Sequence, residues 1–199
     1  MKNTMELETL INHFKKYFPL GKSDIEELQK RISIRKIKRR QYILAEGDIC
    51  KHYNFVVNGC FKMYKVDEAA KEHNISFAIE NEWITDIGSF HSEKPSKLYI
   101  EAIEKSTIIQ IAKTDLIYFY INHPKFDRNF RIILENNFVA LQNRLLQTIS
   151  TTAEERYQTF LEDNPHLINR LPNTQIASYI GITPEFLSRI RSQQLEKDK

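Results

Sequence analysis

Apolar residues recur along this chain with changing period, and each change marks an element. Met5–Phe18 places Leu7, Leu10, Ile11, Phe14 and Phe18 on one helical face, and Ser23–Arg31 reads as a second short helix capped by Ser23 or Asp24. From Ile32 the spacing tightens: Ile32, Ile34 and Ile37 are interleaved with Arg35, Lys36 and Lys38, as in a strand with one wet face. Short strands follow. Glu46-Gly47-Asp48 is a turn, Tyr53–Val57 and Phe61–Val66 flank the hairpin dipeptide Asn58-Gly59, and Asn74–Ile79, Leu98–Ile103 and Thr107–Ile111 complete the set. Strands spaced this closely, with no helices between them, predict an antiparallel barrel or roll that encloses a pocket.

Lys113-Thr114-Asp115 closes the strand pattern and opens helix. After Asn122-His123-Pro124, the residues Phe126, Phe130, Ile133, Leu134, Phe138, Leu141, Leu145, Leu146 and Ile149 recur every three or four positions. A helix this long has more apolar face than a small barrel covers. Pairing with its twin in a two-fold dimer would bury the remainder, and packing on its own barrel is the plainer alternative. A helix from about Ala153 to Glu162, a polar elbow at Asp163-Asn164-Pro165 and a helical turn at His166–Arg170 come next.

Asn173–Ser192, NTQIASYIGITPEFLSRIRS, reads as two helices about a tight turn. Ile176, Ile180, Ile182, Leu187 and Ile190 point inward, and Ala177 is small where the helices cross. Gly181 stands where a helix end needs a left-handed residue, Thr183 caps the next helix, Pro184 suits its first position and Glu185 favours its positive end. Glu185, Phe186, Ser188, Arg189 and Ser192 are left facing out. The arrangement resembles a bacterial helix-turn-helix, whose second helix enters the DNA major groove; a plain αα-hairpin shares some of these constraints.

Composition changes the picture only in part. The chain has 199 residues and a net charge of +3, enough length for one large domain or a medium one plus a small one. The dense cationic run, Lys30, Arg31, Arg35, Lys36, Lys38, Arg39 and Arg40, lies far upstream of the bihelical segment, and a solvated strand face explains it better than a nucleic-acid patch. From Thr151 onward acids slightly outnumber bases, so duplex affinity would rest on a few placed groups, Arg189, Arg191, Lys197 and Lys199, doubled by dimerisation. Cys50 and Cys60 form no CxxC pair and read as buried thiols, and the six histidines show no HxH spacing, which argues against a metal-dependent roll enzyme. No apolar run approaches membrane-spanning length and the first residues, MKNTMELETL, lack a signal-peptide layout, so a cytoplasmic location and no membrane partner are expected.

Three motifs then carry a family resemblance: AEGDICKHYNFVVNGCFKMY at Ala45–Tyr64, WITDIGSFHSEKPSKLYIEAIE at Trp83–Glu104, and ITPEFLSRIRS at the end. In that order, over nearly the full length, the chain resembles the catabolite-activator (Crp/Fnr) family of bacterial transcription regulators, and within it a short-chain branch. The resemblance implies an α+β fold: an N-terminal antiparallel β-roll of the cyclic nucleotide-binding, double-stranded β-helix type at 1–113, a connecting dimerisation helix at 114–150, and a helix-turn-helix domain at 151–199. It implies a homodimer that binds double-stranded DNA and engages RNA polymerase, and no enzyme activity or certain cofactor. A ligand-sensing module acting through protein partners alone is the alternative.

In relatives that bind cyclic AMP, a Gly-Glu pair holds the ribose and an Arg-Ser pair about ten residues later holds the phosphate. Here Thr85 and Asp86 stand at the first pair and Ser96 and Lys97 at the second. Aspartate is shorter, and without the arginine the planar bidentate grip on phosphate is gone. The expected effector site, Thr85, Asp86, Ile87, Gly88, Ser96 and Lys97, would therefore hold cyclic AMP weakly or not at all, and take another small anion or no ligand. The expected DNA contacts are Thr174, Gln175, Thr183, Glu185, Phe186, Ser188, Arg189, Arg191 and Ser192. Arg189 matches guanine O6 and N7, and Glu185 can accept from a cytosine amine, unless the two simply form an intrahelical ion pair. After Arg191 only SQQLEKDK follows, so the contacts of a β-hairpin wing are not expected.

Overall fold

In a computed structural model, residues 4–197 are described, and they divide into two compact units: the residues up to Lys65 with Ser76–Glu135, and Val66–Ile75 with those from Asn136 onward. Helices α1 (Thr4–Lys15) and α2 (Lys22–Arg31) precede strands β1 (Ile32–Ile37), β2 (Tyr42–Leu44), β3 (His52–Asn58), β4 (Phe61–Val66), β5 (Glu72–Ala78) and β6 (Trp83–Ile84). Helix α3 (Ile87–Ser92), strands β7 (Tyr99–Ala102) and β8 (Ser106–Ala112), and helices α4 (Lys113–Asn122) and α5 (Pro124–Ser150) follow. The chain continues through α6 (Ala153–Asp163), α7 (Asn173–Ile180) and α8 (Pro184–Lys197). Lys199, one of the expected cations, and the side chain of Lys197 lie outside the described residues.

The strands form two four-stranded sheets, ordered β1-β8-β3-β6 and β2-β7-β4-β5. This corrects the expected hairpin at Asn58-Gly59: β3 pairs with β6 and β8, and β4 with β7, so the dipeptide carries the chain from one sheet to the other. Gly59 is required there by a close approach. Its φ is +107°, and a Cβ would lie 2.0 Å from Ser106 Oγ, far inside contact distance. At Glu46-Gly47-Asp48 the predicted turn forms, closed by the Asp48 N–H on the Ala45 carbonyl at 3.0 Å.

Helix α2 starts one residue earlier than predicted. Gly21 is its cap residue, and Asp24, from the first turn, accepts the Gly21 N–H at 2.7 Å. The first unit's core joins α1, both sheets, α4 and the start of α5 through Leu10, Phe14, Phe55, Phe61, Ile100, Ile108, Phe119, Phe126 and Phe130. Helix α5 changes character along its length: Phe126, Phe130 and Ile133 are buried, whereas Phe138, Val139, Leu141, Leu145, Leu146 and Ile149 are each more than half exposed.

The second unit builds its own small core from Tyr157, Phe160, Leu167, Leu171, Ile176, Ala177, Ile180, Leu187 and Ile190. Helix α6 opens with a reciprocal cap: the Glu155 N–H reaches Thr152 Oγ1 at 3.2 Å, and Glu155 Oε2 accepts the Thr152 N–H at 2.8 Å. The Thr152 N–H, and after it the Thr152 hydroxyl at 3.0 Å, hold the Glu155 carboxyl below the usual range. At Pro165–Arg170 the chain makes hydrogen-bonded turns, one of them a single helical turn closed by the Leu171 N–H on the Leu167 carbonyl at 3.0 Å.

Candidate effector site and nucleic-acid interface

Asp86 is the pivot of the first site. Its φ of −75° and ψ of 95° put it just outside α3, where one carboxylate oxygen caps the helix by accepting the Ser89 N–H at 3.1 Å. The other oxygen accepts the Ser96 hydroxyl at 2.6 Å. Ser96 is 3% exposed and is pinned through its backbone: its N–H donates to the Asp48 carbonyl and its own carbonyl accepts the Gly47 N–H. Two residues ten apart in sequence are thus joined, and both oxygens of the carboxylate are occupied from within the chain. Thr85 is buried, and its hydroxyl donates to the Ile84 carbonyl at 2.6 Å. Ile87, Gly88 and Lys97 are exposed. The site residues therefore split into a buried pair, Thr85 and Ser96, the half-buried Asp86 that joins them to α3, and a group facing solvent.

Sequence reasoning missed the polar strip of β3 and β8 beside Thr85. Asn54 and Gln110 are both buried, and the Gln110 amide donates to Asn54 Oδ1 at 2.7 Å; Asn54 also donates to the Ile84 carbonyl. Inward polar residues inside an apolar strand were the available signal, since each must find a partner when buried.

At the second site α7 ends as its sequence dictates. Gly181 adopts φ 76°, and the Ile182 N–H returns to the Ala177 carbonyl at 3.0 Å. The Thr183 hydroxyl accepts the Phe186 N–H at 3.2 Å, opening α8 behind Pro184. Arginines from two neighbouring helices close the carbonyl end of α7: Arg156 Nε donates to the Ile180 carbonyl at 3.0 Å, and Arg144 donates to that of Tyr179 at 3.4 Å.

With Leu187 and Ile190 buried, α8 turns Pro184, Glu185, Ser188, Arg189, Ser192 and Gln193 onto one open face. The Arg189 guanidinium sits over the Phe186 ring, 5.1 Å from its centroid, and Phe186 is half-buried. The Glu185 carboxyl is held below its ordinary range by a bond to its own backbone N–H and then by the Thr183 hydroxyl, so it braces the start of the helix. Thr174 and Thr183 are exposed. Besides Thr183 and Glu185, three more expected contacts are engaged within the chain: Arg191 donates to Asn173 Oδ1, Ser192 donates to the Ser188 carbonyl at 3.1 Å, and Gln175 accepts from the Asn74 amide at 3.2 Å and donates to Glu72 at 3.5 Å. Among the described residues no group of three or more His, Cys, Asp or Glu could hold a metal ion, and no helix is long and apolar enough to cross a membrane.

Comparison with known proteins bears on the fold. Residues 34–123 match the cyclic nucleotide-binding domain family. The transcriptional activator protein Anr of Pseudomonas protegens is 23% identical over 186 residues, covering 86% of this chain and 74% of Anr. FixK2 from Bradyrhizobium japonicum superposes with a TM-score of 0.73 at 19% identity, over 84% of this chain and 86% of FixK2. A protein from Eubacterium rectale, assigned to the Crp/Fnr family of transcriptional regulators, gives 0.67 at 15% identity, over 91% and 88%.

Proposed function

We propose that this chain, which carries a cyclic nucleotide-binding domain and has the fold of the Crp/Fnr regulators, is a homodimeric transcription regulator that reads DNA with α8. The observation that carries the reading is the open face of that helix. Four hydrogen-bonding side chains, Glu185, Ser188, Arg189 and Ser192, project from a helix anchored by buried Leu187 and Ile190. Arg189 reads guanine and Glu185 a cytosine amine, while Phe186 meets a thymine methyl. Thr174, Gln175, Thr183, Ser188, Arg191 and Ser192 supply phosphate and base-edge contacts. The exposed apolar face of α5 supports a dimer with two recognition helices about one DNA turn apart.

The effector site spans Thr85, Asp86, Ile87, Gly88, Ser96 and Lys97, and takes a small anion other than cyclic AMP. Its internal Asp86–Ser96 bond supports that choice, because a ribose hydroxyl would have to displace a buried partner. Effector binding shifts the spacing of the two recognition helices by its differential affinity for the two arrangements, and RNA polymerase is the onward partner. The test is selection of duplexes from a random pool by the purified chain. Enrichment of a two-fold-symmetric sequence is expected; enrichment of nothing would leave the reading in which the chain acts through protein partners alone.

A further inference from the structure

Strand β5 is the outer strand of its sheet, and its first half, Glu72–Ile75, lies in the second unit with α7. The bonds along this rim are all polar. The Asn74 N–H donates to Ser178 Oγ at 2.9 Å, and that hydroxyl donates to the Glu72 carbonyl at 2.8 Å. The Asn74 amide donates to the Gln175 carbonyl and to Gln175 Oε1, both at 3.2 Å, and Gln175 Nε2 points at Glu72 Oε2 from 3.5 Å. Arg144 of α5 fastens the same stretch, donating to the Asn74 and Ile75 carbonyls while its guanidinium stacks on Tyr179 at 4.1 Å.

Two features make this contact a poor permanent one. Apart from the Arg144 stack on Tyr179, the bonds that hold it are hydrogen bonds, so opening it exposes groups that water satisfies. Asn74 Oδ1 is also buried with no hydrogen-bond partner among the described residues, and a buried acceptor left unpaired favours release. The position of Glu72 adds a third. Its carboxylate oxygen faces the Gln175 amide N–H, the donor that would otherwise meet a phosphate oxygen near the positive end of α7. A carboxylate there stands in for the phosphate and repels the real one.

We propose that Glu72–Ile75 is an autoinhibitory latch. Closed, it occupies Gln175 and Ser178 and presents a negative charge where a phosphate would approach; open, it frees the start of α7 for DNA. The proposal rests on the DNA-reading role assigned above. Arg144 is a positioning residue: through it a change along α5 reaches the latch.

The test uses the full chain and a duplex that it has enriched from a random pool. Glu72→Ala and Ser178→Ala should each tighten binding about five- to ten-fold at fixed salt, with the thermal transition retained. Adding Gln175→Ala to Glu72→Ala should erase the gain. In the unaltered protein, amide hydrogen exchange at residues 72–75 should speed up when the duplex is added, a readout that does not depend on any variant folding. Unchanged or weaker binding by both folded variants, or slower exchange at residues 72–75 on the duplex, overturns the latch and leaves DNA reading intact. Failure of the unaltered chain and both variants to bind any duplex overturns both.

Discussion

Ser96 donates its hydroxyl to Asp86 at 2.6 Å, so the carboxylate at the centre of the proposed effector site is held by a residue of its own chain. A hydrogen bond to a charged acceptor contributes about 1.5–3 kcal/mol, so Ser96→Ala should lower the unfolding free energy by roughly that amount, measured by urea denaturation. Calorimetric titration of the unaltered protein should show no micromolar affinity for cyclic AMP. Micromolar binding would show that the bond opens readily and that the aspartate suffices for the ribose.

Arg189 stands over Phe186 on the open face of α8. Arg189→Ala should cost about 1–3 kcal/mol on the enriched duplex and relax preference at one base pair, read by competition among single-substitution duplexes. Equal loss on every sequence would instead mark a phosphate contact.

The α5 face of Phe138, Leu141, Leu145 and Ile149 follows helical spacing and is more than half exposed throughout. Burying each such side chain is worth about 1.5–3 kcal/mol. Analytical ultracentrifugation should therefore show a dimer, and Leu141→Lys with Leu145→Lys should give a folded monomer. A monomeric parent protein would sink the dimer.

His13 is 7% exposed, and its ring accepts the Trp83 indole N–H at 3.3 Å. Burial, and secondarily the nearby Lys16, lower its pKa from 6.5 to about 4. The folded state thus binds the proton less readily than the unfolded chain. Stability is full above pH 6.5, falls as pH drops toward 4, and levels off below that. Between pH 7.5 and 5 this group should remove about 2 kcal/mol. His13→Gln should flatten that part of the profile, followed by the fluorescence of the single tryptophan; an unchanged slope would assign the loss to other groups.

Two glycines should respond differently to alanine. At Gly181 the added Cβ meets nothing within 4 Å, so only the left-handed φ of 76° is strained, at about 1–2 kcal/mol. At Gly59 the Cβ would strike Ser106 at 2.0 Å, and Gly59→Ala should leave little folded protein at 25 °C. Thermal melts of the two variants separate these cases.

The longer helices were legible because each is specified locally, whereas α3, capped by Asp86, lies between strands where no helix was expected. The period of Phe126–Ile149 and the Gly181-Thr183-Pro184 sequence give α5 and the turn before α8 from neighbouring residues alone. Strand partners were not legible in the same way. Asn58-Gly59 has the chemistry of a hairpin turn, but whether the chain turns back or crosses over depends on Ser106, almost fifty positions away. The strands Tyr42–Leu44 and Trp83–Ile84 are too short to show a period. At the candidate sites the residue types announced Asp86, Ser96 and Arg189 as polar groups worth placing. Which partner each would take was a matter of folding. Glu72, Asn74 and Arg144 look in sequence like any solvated strand or helix residue, and only their shared hold on α7 sets them apart.

Along Glu72–Ile75 the rim of β5 has main-chain groups answered by Ser178 and Arg144, side chains from α7 and α5. A fragment cut off after the roll would lose those partners and bare an unpaired strand rim, an open template for edge-to-edge aggregation. Ligand screens on this protein are therefore best run on the intact polypeptide, where that border is already sealed.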